Sequence, residues 1–529
     1  MLEKTHRDVA NLSPFELKDQ LIALASSDAQ RLMLNAGRGN PNFLAMLPRL
    51  AFLSLGEFAM LEARRSYSYL DSGFGGLPEL QGIVQRFETY AGNHRGDDGV
   101  RFIQSAISYV KDQLGLDQDV FLFELAGAFL GCTYPTPPRM LLHTEEIVKA
   151  YLVQEMLGTT TQTGDFSLFA TEGGTAAMAY IFQSLKQNGL LHPGDKIGIG
   201  TPIFSPYLEI PVLAEYGLEV VDIRMDSHAD WQFPTSEIEK LKDPTIKIFC
   251  LVNPSNPPST KMSDAALAQL MDFVIKSRPD LFIVTDDVYG TFADDFVSIF
   301  AKCPRNTLLV YSFSKFFGAT GWRLGVIALH DDNVLDAALA AKSETQMQQL
   351  DARYASLTTK PRELRFIDRL VADSRAVALN HTAGLSGPQQ AQMALFALNG
   401  LMDRGHRYKN AAKELIRQRY QTLYRTMGVP EAHELNDVNY YTLIDLQEMG
   451  GRLYGAEFES WFIKSDLGID FLFRLAGETG VVLLPGAGFE VVDTSARVSL
   501  ANLTDNEYAS IGRFTRKVLD EYFQDFKKR

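Results

Sequence analysis

The stretch "SFSKFFGATGWRLG", residues 312–325, places a single lysine, Lys315, among three phenylalanines. A lysine on a protein surface normally keeps its ammonium group in water. Phe313, Phe316 and Phe317 would limit the water around this amine, and a poorly hydrated lysine favours its neutral, nucleophilic form. Such an amine can form a Schiff base with a carbonyl compound. The stretch therefore predicts a reactive lysine, provided that the rest of the chain holds a carbonyl cofactor.

Short β-rich runs alternate with helical segments from about Phe166 to about Leu329. The runs are "IKIFCLV", "LFIVTDD" and "TLLVYSFS", and "DAALAQLMDFVIKS" between the first two has helical periodicity. This alternation predicts an α/β fold with a mostly parallel sheet covered by helices. Ligands of such a sheet bind beyond the carboxyl ends of its strands. The polar residues that follow the three runs, including Asn256, Asp286 and Ser312, should gather at one edge.

Outside this region the sequence indicates helices and a second lobe. "NLSPFELKDQLIALA" reads as a helix start, with Ser13 as N-cap, Pro14 at the first helical position and Glu16 closing a capping box. Residues from about 331 to 374 look like one long helix. The remainder, from about 385 to 529, mixes helices with short strands such as "NYYTLIDL" and "ARVSLANL", which is typical of a separate α+β lobe.

The length of 529 residues exceeds what one hydrophobic core normally supports, so at least two lobes are expected. We predict an amino-terminal arm and extension over residues 1–130, which contributes to the small domain. A large cofactor-binding domain is predicted over residues 131–375, and a carboxyl-terminal small domain over residues 376–529.

The overall charge of the chain limits which classes of partner it can bind. The chain has 51 basic and 65 acidic residues, a formal net charge of −14, which disfavours nucleic acid or an anionic membrane surface as the main partner. The start, "MLEKTHRDVANLSPFELKD", carries charges where a signal peptide needs an apolar core, so we expect a cytoplasmic protein. Cys132, Cys250 and Cys303 are too few and too scattered to suggest disulfides or a zinc site.

A glycine-rich helix start is the candidate phosphate site. In "FATEGGTAAMAYIF", Gly173, Gly174 and Thr175 open a helix of small residues, and its first N–H groups and dipole suit a phosphate. No stretch completes a dinucleotide-binding G-x-G-x-x-G motif or a Walker lysine motif. The histidines lack the spacing of a zinc helix, so no metal is expected.

Taken in order, "EGGT", "NPSNPP", "DDVYG" and "SFSKFFGATGWRLG" resemble the fold-type I pyridoxal-phosphate enzymes of the aspartate aminotransferase superfamily. The resemblance extends from about Gly115 to Arg497. It implies an α/β fold with a large and a smaller domain and pyridoxal 5'-phosphate as cofactor. It also implies that Lys315 is the Schiff-base lysine.

The resemblance assigns further roles by position. Gly173, Gly174 and Thr175 would hold the phosphate, and Ser312 and Arg323 would complete the anionic cradle, since a guanidinium stays protonated.

On the ring side of the site, Asp286 would pair with the pyridine nitrogen and keep it protonated. Asn256 and Tyr289 would donate to the ring hydroxyl oxygen, and Phe204 in "TPIFSPY" would stack on the ring. Arg497 in "SARVSLANL" would bind the substrate α-carboxylate by a two-point salt bridge.

Two assignments stay open in the amino-terminal part. Either Gly39, in "LNAGRGNPNF", or Gly115, in "QLGLDQDVF", would lie in the loop that closes over the substrate. Tyr134, in "YPTPPRM", is assigned to the partner subunit's phosphate, with Tyr69 as its competitor. A further departure is "NPPST", where the family usually has Thr-Gly; this departure concerns the shape of the Asn256 loop and not the role of Asn256.

A long leader and a long separation between Lys315 and Arg497 resemble the aspartate 4-decarboxylase branch of this family. That resemblance implies L-aspartate and 2-oxo acids as substrates, alanine and CO2 as products, and transamination as a side activity. It also implies a symmetric homo-oligomer, a dimer at least and a dodecamer by resemblance. Arg38 would position the β-carboxylate or guard the entrance. The alternatives are an aminotransferase without decarboxylation and, more remotely, a transcription regulator, for which the leader shows no basic recognition helix.

Overall fold

A computed structural model describes residues 14–28, 31–70, 73–158, 164–379, 384–431, 435–465, 467–491 and 494–529. The described strands are β1 (Leu34–Asn35), β2 (Phe166–Thr171), β3 (Lys196–Thr201), β4 (Glu219–Arg224), β5 (Ile246–Val252), β6 (Phe282–Asp286), β7 (Thr307–Ser312), β8 (Gly325–His330), β9 (Tyr441–Asp445), β10 (Val481–Val482), β11 (Leu484–Pro485) and β12 (Ser495–Ser499).

The central element is a seven-stranded sheet in the order β2-β8-β7-β6-β5-β3-β4. Strand β8 is antiparallel to both of its neighbours, and the other pairings are parallel. All residues of β2, β6 and β7 are buried, as a sheet covered on both faces requires. The prediction of a mostly parallel sheet is therefore confirmed, and "IKIFCLV", "LFIVTDD" and "TLLVYSFS" supply β5, β6 and β7.

The described chain also contains twenty α-helices. They are α1 (Pro14–Ala25), α2 (Met46–Ser66), α3 (Ile83–Asn93), α4 (Asp98–Asp112), α5 (Gln118–Leu130), α6 (Leu142–Leu152), α7 (Gly174–Gln187), α8 (Pro206–Val212), α9 (Thr235–Ile238), α10 (Asp264–Ser277), α11 (Ile299–Lys302), α12 (Val334–Ala340), α13 (Glu344–Tyr354), α14 (Phe366–Ser374), α15 (Gly387–Met402), α16 (Arg407–Met427), α17 (Leu446–Tyr454), α18 (Ala456–Lys464), α19 (Gly468–Thr479) and α20 (Asp505–Lys527). None of these helices is long and apolar enough to span a lipid bilayer.

The prediction of one long helix over residues 331–374 is wrong. The structure has three shorter helices there, α12, α13 and α14. Ser343 and Gln346 form a capping box that starts α13 afresh. Helix α13 ends at Tyr354, and farther on the residue before Pro361, Lys360, has a non-helical backbone with φ −129° and ψ 62°, so no helix continues from α13 into α14.

The amino-terminal arm packs onto the carboxyl-terminal region. Helix α1 begins at Pro14 and contacts α19, and the short strand β1 pairs in parallel with β10. Ser13, the expected N-cap, lies outside the described residues. Strands β11, β12 and β9 form a second, antiparallel sheet in that order, which confirms strands in "NYYTLIDL" and "ARVSLANL". The domain boundaries near residues 130 and 375 stay a prediction.

Candidate active site

The carboxyl ends of β5, β6 and β7 lie side by side. Val252 pairs with Asp286, Asp286 pairs with Val310, and the Asn253 N–H donates to the Asp286 carbonyl at 3.0 Å. Ser312 ends β7 on the same side of the sheet. The expectation that the polar ends of these three strands share one edge is confirmed.

A glycine turn opens a cradle at the start of α7. Gly173 has a φ of +87°, and a Cβ on it would collide with Arg323 Nη2. A Cβ on Gly174 would lie 3.8 Å from Ser312 Cβ. Arg323, itself left-handed with a φ of 56°, is held there because its Nη2 donates to the Glu172 carbonyl at 3.1 Å. Only glycine at position 173 leaves room for this guanidinium beside the helix N-terminus.

Thr175 and Ser312 complete the surroundings of this cradle. Thr175 is exposed in the first turn of α7, where backbone N–H groups have no helical acceptor. Ser312 Oγ donates to Ser314 Oγ at 2.9 Å, and because a hydroxyl rotates about its C–O bond it can donate to an oxyanion instead. A guanidinium, hydroxyls and free N–H groups at a helix N-terminus are donors that suit an oxyanion.

Asp286 is a buried carboxylate at the end of β6. Burial raises its pKa to about 6, an effect opposed by hydrogen bonds from the Val288 N–H at 3.3 Å and Tyr207 Oη at 3.4 Å and by the nearby charge of Lys315. Tyr207 is itself fully buried, and burial raises its pKa well above the ordinary value. The sequence analysis missed Tyr207, although it lies in the quoted stretch "TPIFSPY", three residues after Phe204.

Asp287 is a second buried carboxyl on the next residue. Burial raises its pKa to about 7, and the neighbouring charge of Asp286 adds to this effect. Thr285 Oγ1 donates to one of its oxygens. Asp286 is the acid beside the cradle, since its Oδ2 lies 4.0 Å from a Cβ position on Gly174.

Asn256, Tyr289 and Arg497 form one connected cluster. Arg497 Nη1 donates to Asn256 Oδ1 at 3.0 Å, and Asn256 Nδ2 donates to Tyr289 Oη at 3.4 Å. Arg497 Nη2 donates to the Gly37 carbonyl at 2.9 Å. The guanidinium is only 4% exposed and its Nε has no hydrogen-bond partner among the described residues. A buried cation with a spare donor is suited to bind a carboxylate.

Lys315 lies beside Gly39. Its Nζ donates to the Gly39 carbonyl at 3.3 Å, and Tyr440 Oη donates to the same carbonyl at 2.7 Å. A Cβ on Gly39 would collide with Tyr441 Oη and lie 3.3 Å from Lys315 Nζ. The structure thus places Gly39 at the lysine. Gly115 is not brought there: it lies in the turn between α4 and α5, with nothing within 4 Å of a Cβ position.

The three phenylalanines around Lys315 are all buried. Phe313 and Phe317 stack on each other, and Phe317 also stacks on the ring of Phe396. The rings therefore anchor the turn that carries the lysine in the core. The half-buried amine contacts Gly39, and the hydroxyls of Tyr440 and Tyr441 also lie at Gly39, although the sequence analysis had not assigned these tyrosines to the site.

The remaining candidates lie nearer the surface. Tyr134 and Tyr69 are 68% and 76% exposed, and the structure describes no hydrogen bond of either hydroxyl. Phe204 is half-buried at the start of α8. Arg38 is exposed between Gly37 and Gly39, whose carbonyls accept from Arg497 and Lys315. Among the described residues, no cluster of three His, Cys, Asp or Glu side chains could hold a metal ion.

The order and geometry of these residues agree with a match to a family model. The model for aminotransferase class I and II matches residues 151–511. The chain belongs to this family. Enzymes of the family depend on pyridoxal 5'-phosphate, so this aminotransferase-family chain is a pyridoxal-phosphate-dependent enzyme of the expected fold.

Individual relatives extend the comparison. The chain is 58% identical over 526 residues, 99% of either chain, to a Pseudomonas protein named bifunctional aspartate aminotransferase and L-aspartate beta-decarboxylase. It is 30% identical over 141 residues, 26% of this chain and 35% of the other, to an aspartate/prephenate aminotransferase of Nitrosomonas europaea. The aspartate aminotransferase of Thermus thermophilus with maleate has the same fold, with a TM-score of 0.57, 16% identity and 96% of each chain covered.

The residues present fit the cofactor of this family. The cradle of Gly173, Gly174, Ser312 and Arg323 leaves space that any side chain on Gly173 would fill, and its donors match a phosphate. Asp286, buried at the neighbouring strand end, offers a carboxylate to a ring nitrogen.

The titration of Asp286 gives a test in the cofactor-free chain. Its folded-state pKa of about 6 lies above the ordinary value of 3.8, so the folded chain binds this proton more tightly than the unfolded chain does. The free energy of unfolding should therefore fall as the pH rises from about 4 to about 6. Asp286→Asn should unfold with a free energy roughly 2 to 3 kcal/mol higher than wild type at pH 7.5, and with little difference at pH 3.5.

Urea unfolding of the cofactor-free proteins at both pH values measures this difference. Asp272→Asn, which changes an exposed carboxylate on α10, is the control and should shift stability little at either pH. Equal stability of Asp286→Asn and wild type at pH 7.5 would contradict the burial of a charged Asp286.

Proposed function

We propose that this enzyme removes the β-carboxyl group of L-aspartate, giving L-alanine and CO2, and also transaminates aspartate with 2-oxoglutarate. The observation that carries the proposal is the 58% identity, over 99% of both chains, to the Pseudomonas protein named for both activities. The site supports it, because Lys315 contacts the Gly39 carbonyl and its charge acts on the buried Asp286, while the buried Arg497 contacts the Gly37 carbonyl two residues away from Gly39.

The proposed cofactor contacts follow from these positions. Gly173, Gly174, Thr175, Ser312 and Arg323 would hold the phosphate of pyridoxal 5'-phosphate with backbone N–H groups, hydroxyls and a guanidinium.

For the ring of the cofactor, Asp286 would keep the nitrogen protonated, and Asn256 and Tyr289 would donate to the ring hydroxyl oxygen. Phe204 would stack on one face of the ring. When bound, the cofactor supplies an acceptor for the electron pair released when a bond at the substrate breaks. Burial of Asp286 makes its charge effective, since few water dipoles screen it.

Arg497 would fix the substrate through its α-carboxylate. Its guanidinium Cζ lies 4.3 Å from the centre of the Tyr441 ring and 4.6 Å from that of Phe489, so it is held between two aromatic faces. A guanidinium held in one plane orients a carboxylate as well as binding it. Asn256 accepts from the same guanidinium and so sets its direction.

Lys315 would move the proton. Its Nζ would take the proton from the substrate Cα and hold it beside the Gly39 carbonyl, which already accepts from this amine. The surrounding Tyr289, Tyr440 and Tyr441 rings are buried and exclude water from the β-carboxylate. Loss of CO2 disperses a negative charge, so a water-poor pocket favours it.

The first test is the reaction itself. Wild-type protein with L-aspartate, pyridoxal phosphate and 2-oxoglutarate should release CO2 and alanine and should also form oxaloacetate. Lys315→Ala should lose at least about 1,000-fold in the rate of both reactions, because the proton acceptor is gone. Lys276→Ala, which removes an exposed lysine of α10, is the control and should keep full activity. Borohydride reduction of the loaded protein should attach the cofactor to the peptide that contains Lys315.

The products distinguish the candidate functions. Transamination of 2-oxoglutarate without release of CO2 would leave the aminotransferase function standing and remove the decarboxylase. Full activity of Lys315→Ala would remove the proposed role of this lysine.

Arg38 provides a second test, because it lies between the two residues whose carbonyls meet Arg497 and Lys315. We propose that its guanidinium positions the β-carboxylate or guards the entrance. Arg38→Ala should lower alanine formation about tenfold and oxaloacetate formation less, so that the product ratio shifts. Arg64→Ala, near the end of α2, is the control. An unchanged ratio of alanine to oxaloacetate would assign Arg38 to the solvent-facing surface alone.

The active unit that we propose is a symmetric homo-oligomer in which Tyr134 reaches the phosphate site of a partner subunit. Two observations support an interface. Tyr134 is 68% exposed, and α2 exposes apolar side chains, with Leu53 also 68% exposed. By resemblance the assembly is larger than a dimer, and a dodecamer is expected. A cytoplasmic location belongs to the same proposal and agrees with the free thiols of the three cysteines.

Light scattering should give a mass that is at least twice the 59.0 kDa mass of the chain and a whole multiple of it. Leu53→Asp should shift the assembly toward smaller species, because it places a charge in the proposed interface. Ile275→Asp, at an equally open apolar position on α10, is the matched control and should leave the mass unchanged. A fully active wild-type monomer would overturn the shared site.

A further inference from the structure

Ser259 has an unusual backbone conformation beside the candidate site. It lies in the loop that follows β5 and carries Asn256, it is 1% exposed, and its φ is +69°. This left-handed region is favourable for glycine and unfavourable for most residues that have a Cβ. Because Ser259 has a Cβ, this conformation is strained, and such strain persists where surrounding contacts offset it.

The hydroxyl of Ser259 accepts two backbone hydrogen bonds from another part of the chain. The Tyr440 N–H donates to its Oγ at 2.9 Å and the Tyr441 N–H at 3.2 Å. The Val438 N–H donates to the Ser259 carbonyl at 2.8 Å. A glycine would keep the carbonyl contact but would offer no acceptor to the two tyrosine N–H groups. The side chain therefore holds Tyr440 and Tyr441 at the beginning of β9, while the loop backbone holds the residues just before them.

Both tyrosines held in this way contact the active site. Tyr440 Oη donates to the Gly39 carbonyl at 2.7 Å, the same carbonyl that accepts from Lys315. Tyr441 Oη lies 3.0 Å from Tyr289 Oη. The backbone positions of Tyr440 and Tyr441 therefore determine where their hydroxyls lie relative to Gly39 and Tyr289.

Tyr441 also supports the arginine. In the β9–β12 ladder Arg497 lies opposite Leu443, and Tyr441 is two residues away on the same face. The ring centre of Tyr441 accordingly lies 4.3 Å from Arg497 Cζ. A shift of the Tyr441 backbone would move the aromatic face on which the guanidinium rests.

We propose that Ser259 is a positioning residue for carboxylate binding. Its hydroxyl fixes Tyr440 and Tyr441 relative to the Asn256 loop and thereby holds Arg497 in the direction that binds the substrate α-carboxylate. The inference rests on the proposed function, because it takes an amino dicarboxylate as the substrate. It assigns Ser259 no contact with the substrate and no proton transfer.

The expected effect is on binding more than on turnover. If Arg497 points in the wrong direction, it binds the carboxylate more weakly in both the substrate complex and the transition state. An equal loss in the two states raises KM and leaves kcat nearly unchanged. The junction should still fold without the hydroxyl, since the Lys261 N–H also donates to the Asn436 carbonyl at 2.9 Å.

Two variants distinguish the effect of losing the Ser259 hydroxyl from the effect of relieving the backbone strain. Ser259→Gly removes the hydroxyl and relieves the strain, whereas Ser259→Ala removes the hydroxyl and keeps the strain. His406→Gly relieves strain at an exposed left-handed residue before α16, where φ is 53°, and is the control for strain relief alone.

The readouts are the dissociation constant of succinate, an unreactive four-carbon dicarboxylate, from calorimetry on the holoenzyme, together with KM and kcat for aspartate and the melting temperature. Ser259→Gly and Ser259→Ala should both weaken succinate binding and raise KM by about tenfold, with kcat within about threefold of wild type. Ser259→Gly should melt at a higher temperature than Ser259→Ala. His406→Gly should bind succinate as wild type does.

Two results would overturn the inference. One is wild-type succinate affinity and KM in Ser259→Gly. The other is a loss of affinity in Ser259→Ala alone, which would assign the effect to strain and not to the hydroxyl. A wild-type protein that converts no aspartate would overturn the proposed function instead, and the succinate affinities of the variants would still decide the role of Ser259.

Discussion

The site depends on one buried cation. Arg497 is almost completely removed from water, and a buried charge is costly unless it is paired or hydrogen-bonded. Its partners come from distant parts of the chain: Asn256 from the loop after β5 and the Gly37 carbonyl from the segment after β1. The need to satisfy this guanidinium brings the large sheet, the amino-terminal segment and the small sheet to one place.

The fold was predictable from the sequence where the pattern of apolar residues in a short segment matches the secondary structure that the segment forms. Apart from the exposed Lys247, the runs that form β5, β6 and β7 are buried on both faces, so their composition indicates a covered sheet, and the polar residues at their ends mark its ligand edge. The stretch before residue 375 was harder. Its composition favours helix throughout, but a capping box at Ser343 and the proline at 361 divide it, and helix propensity summed over a long window does not show such breaks.

The site was predictable only in part, for a physical reason. Lys315, Asp286, Asn256 and Arg497 lie in motifs whose residues are close in the sequence. Tyr207, Tyr440 and Tyr441 enter through tertiary contacts, and nothing in the letters around them distinguishes a site tyrosine from a core tyrosine. The choice between Gly39 and Gly115 likewise depends on a parallel pairing of β1 with β10, which joins residues at opposite ends of the chain.

The contact between Arg497 and Gly37 spans 460 residues of sequence. Closing so long a loop carries an entropic cost that the large sheet must first reduce by folding. During synthesis the amino-terminal segment emerges first and must wait for β10 and β12, which are made near the end, at a rate of about 5–20 residues per second. The carboxylate pocket therefore cannot exist in a nascent chain that stops short of residue 497. The ribosome therefore releases Lys315 long before it releases Arg497, the residue proposed to bind the substrate.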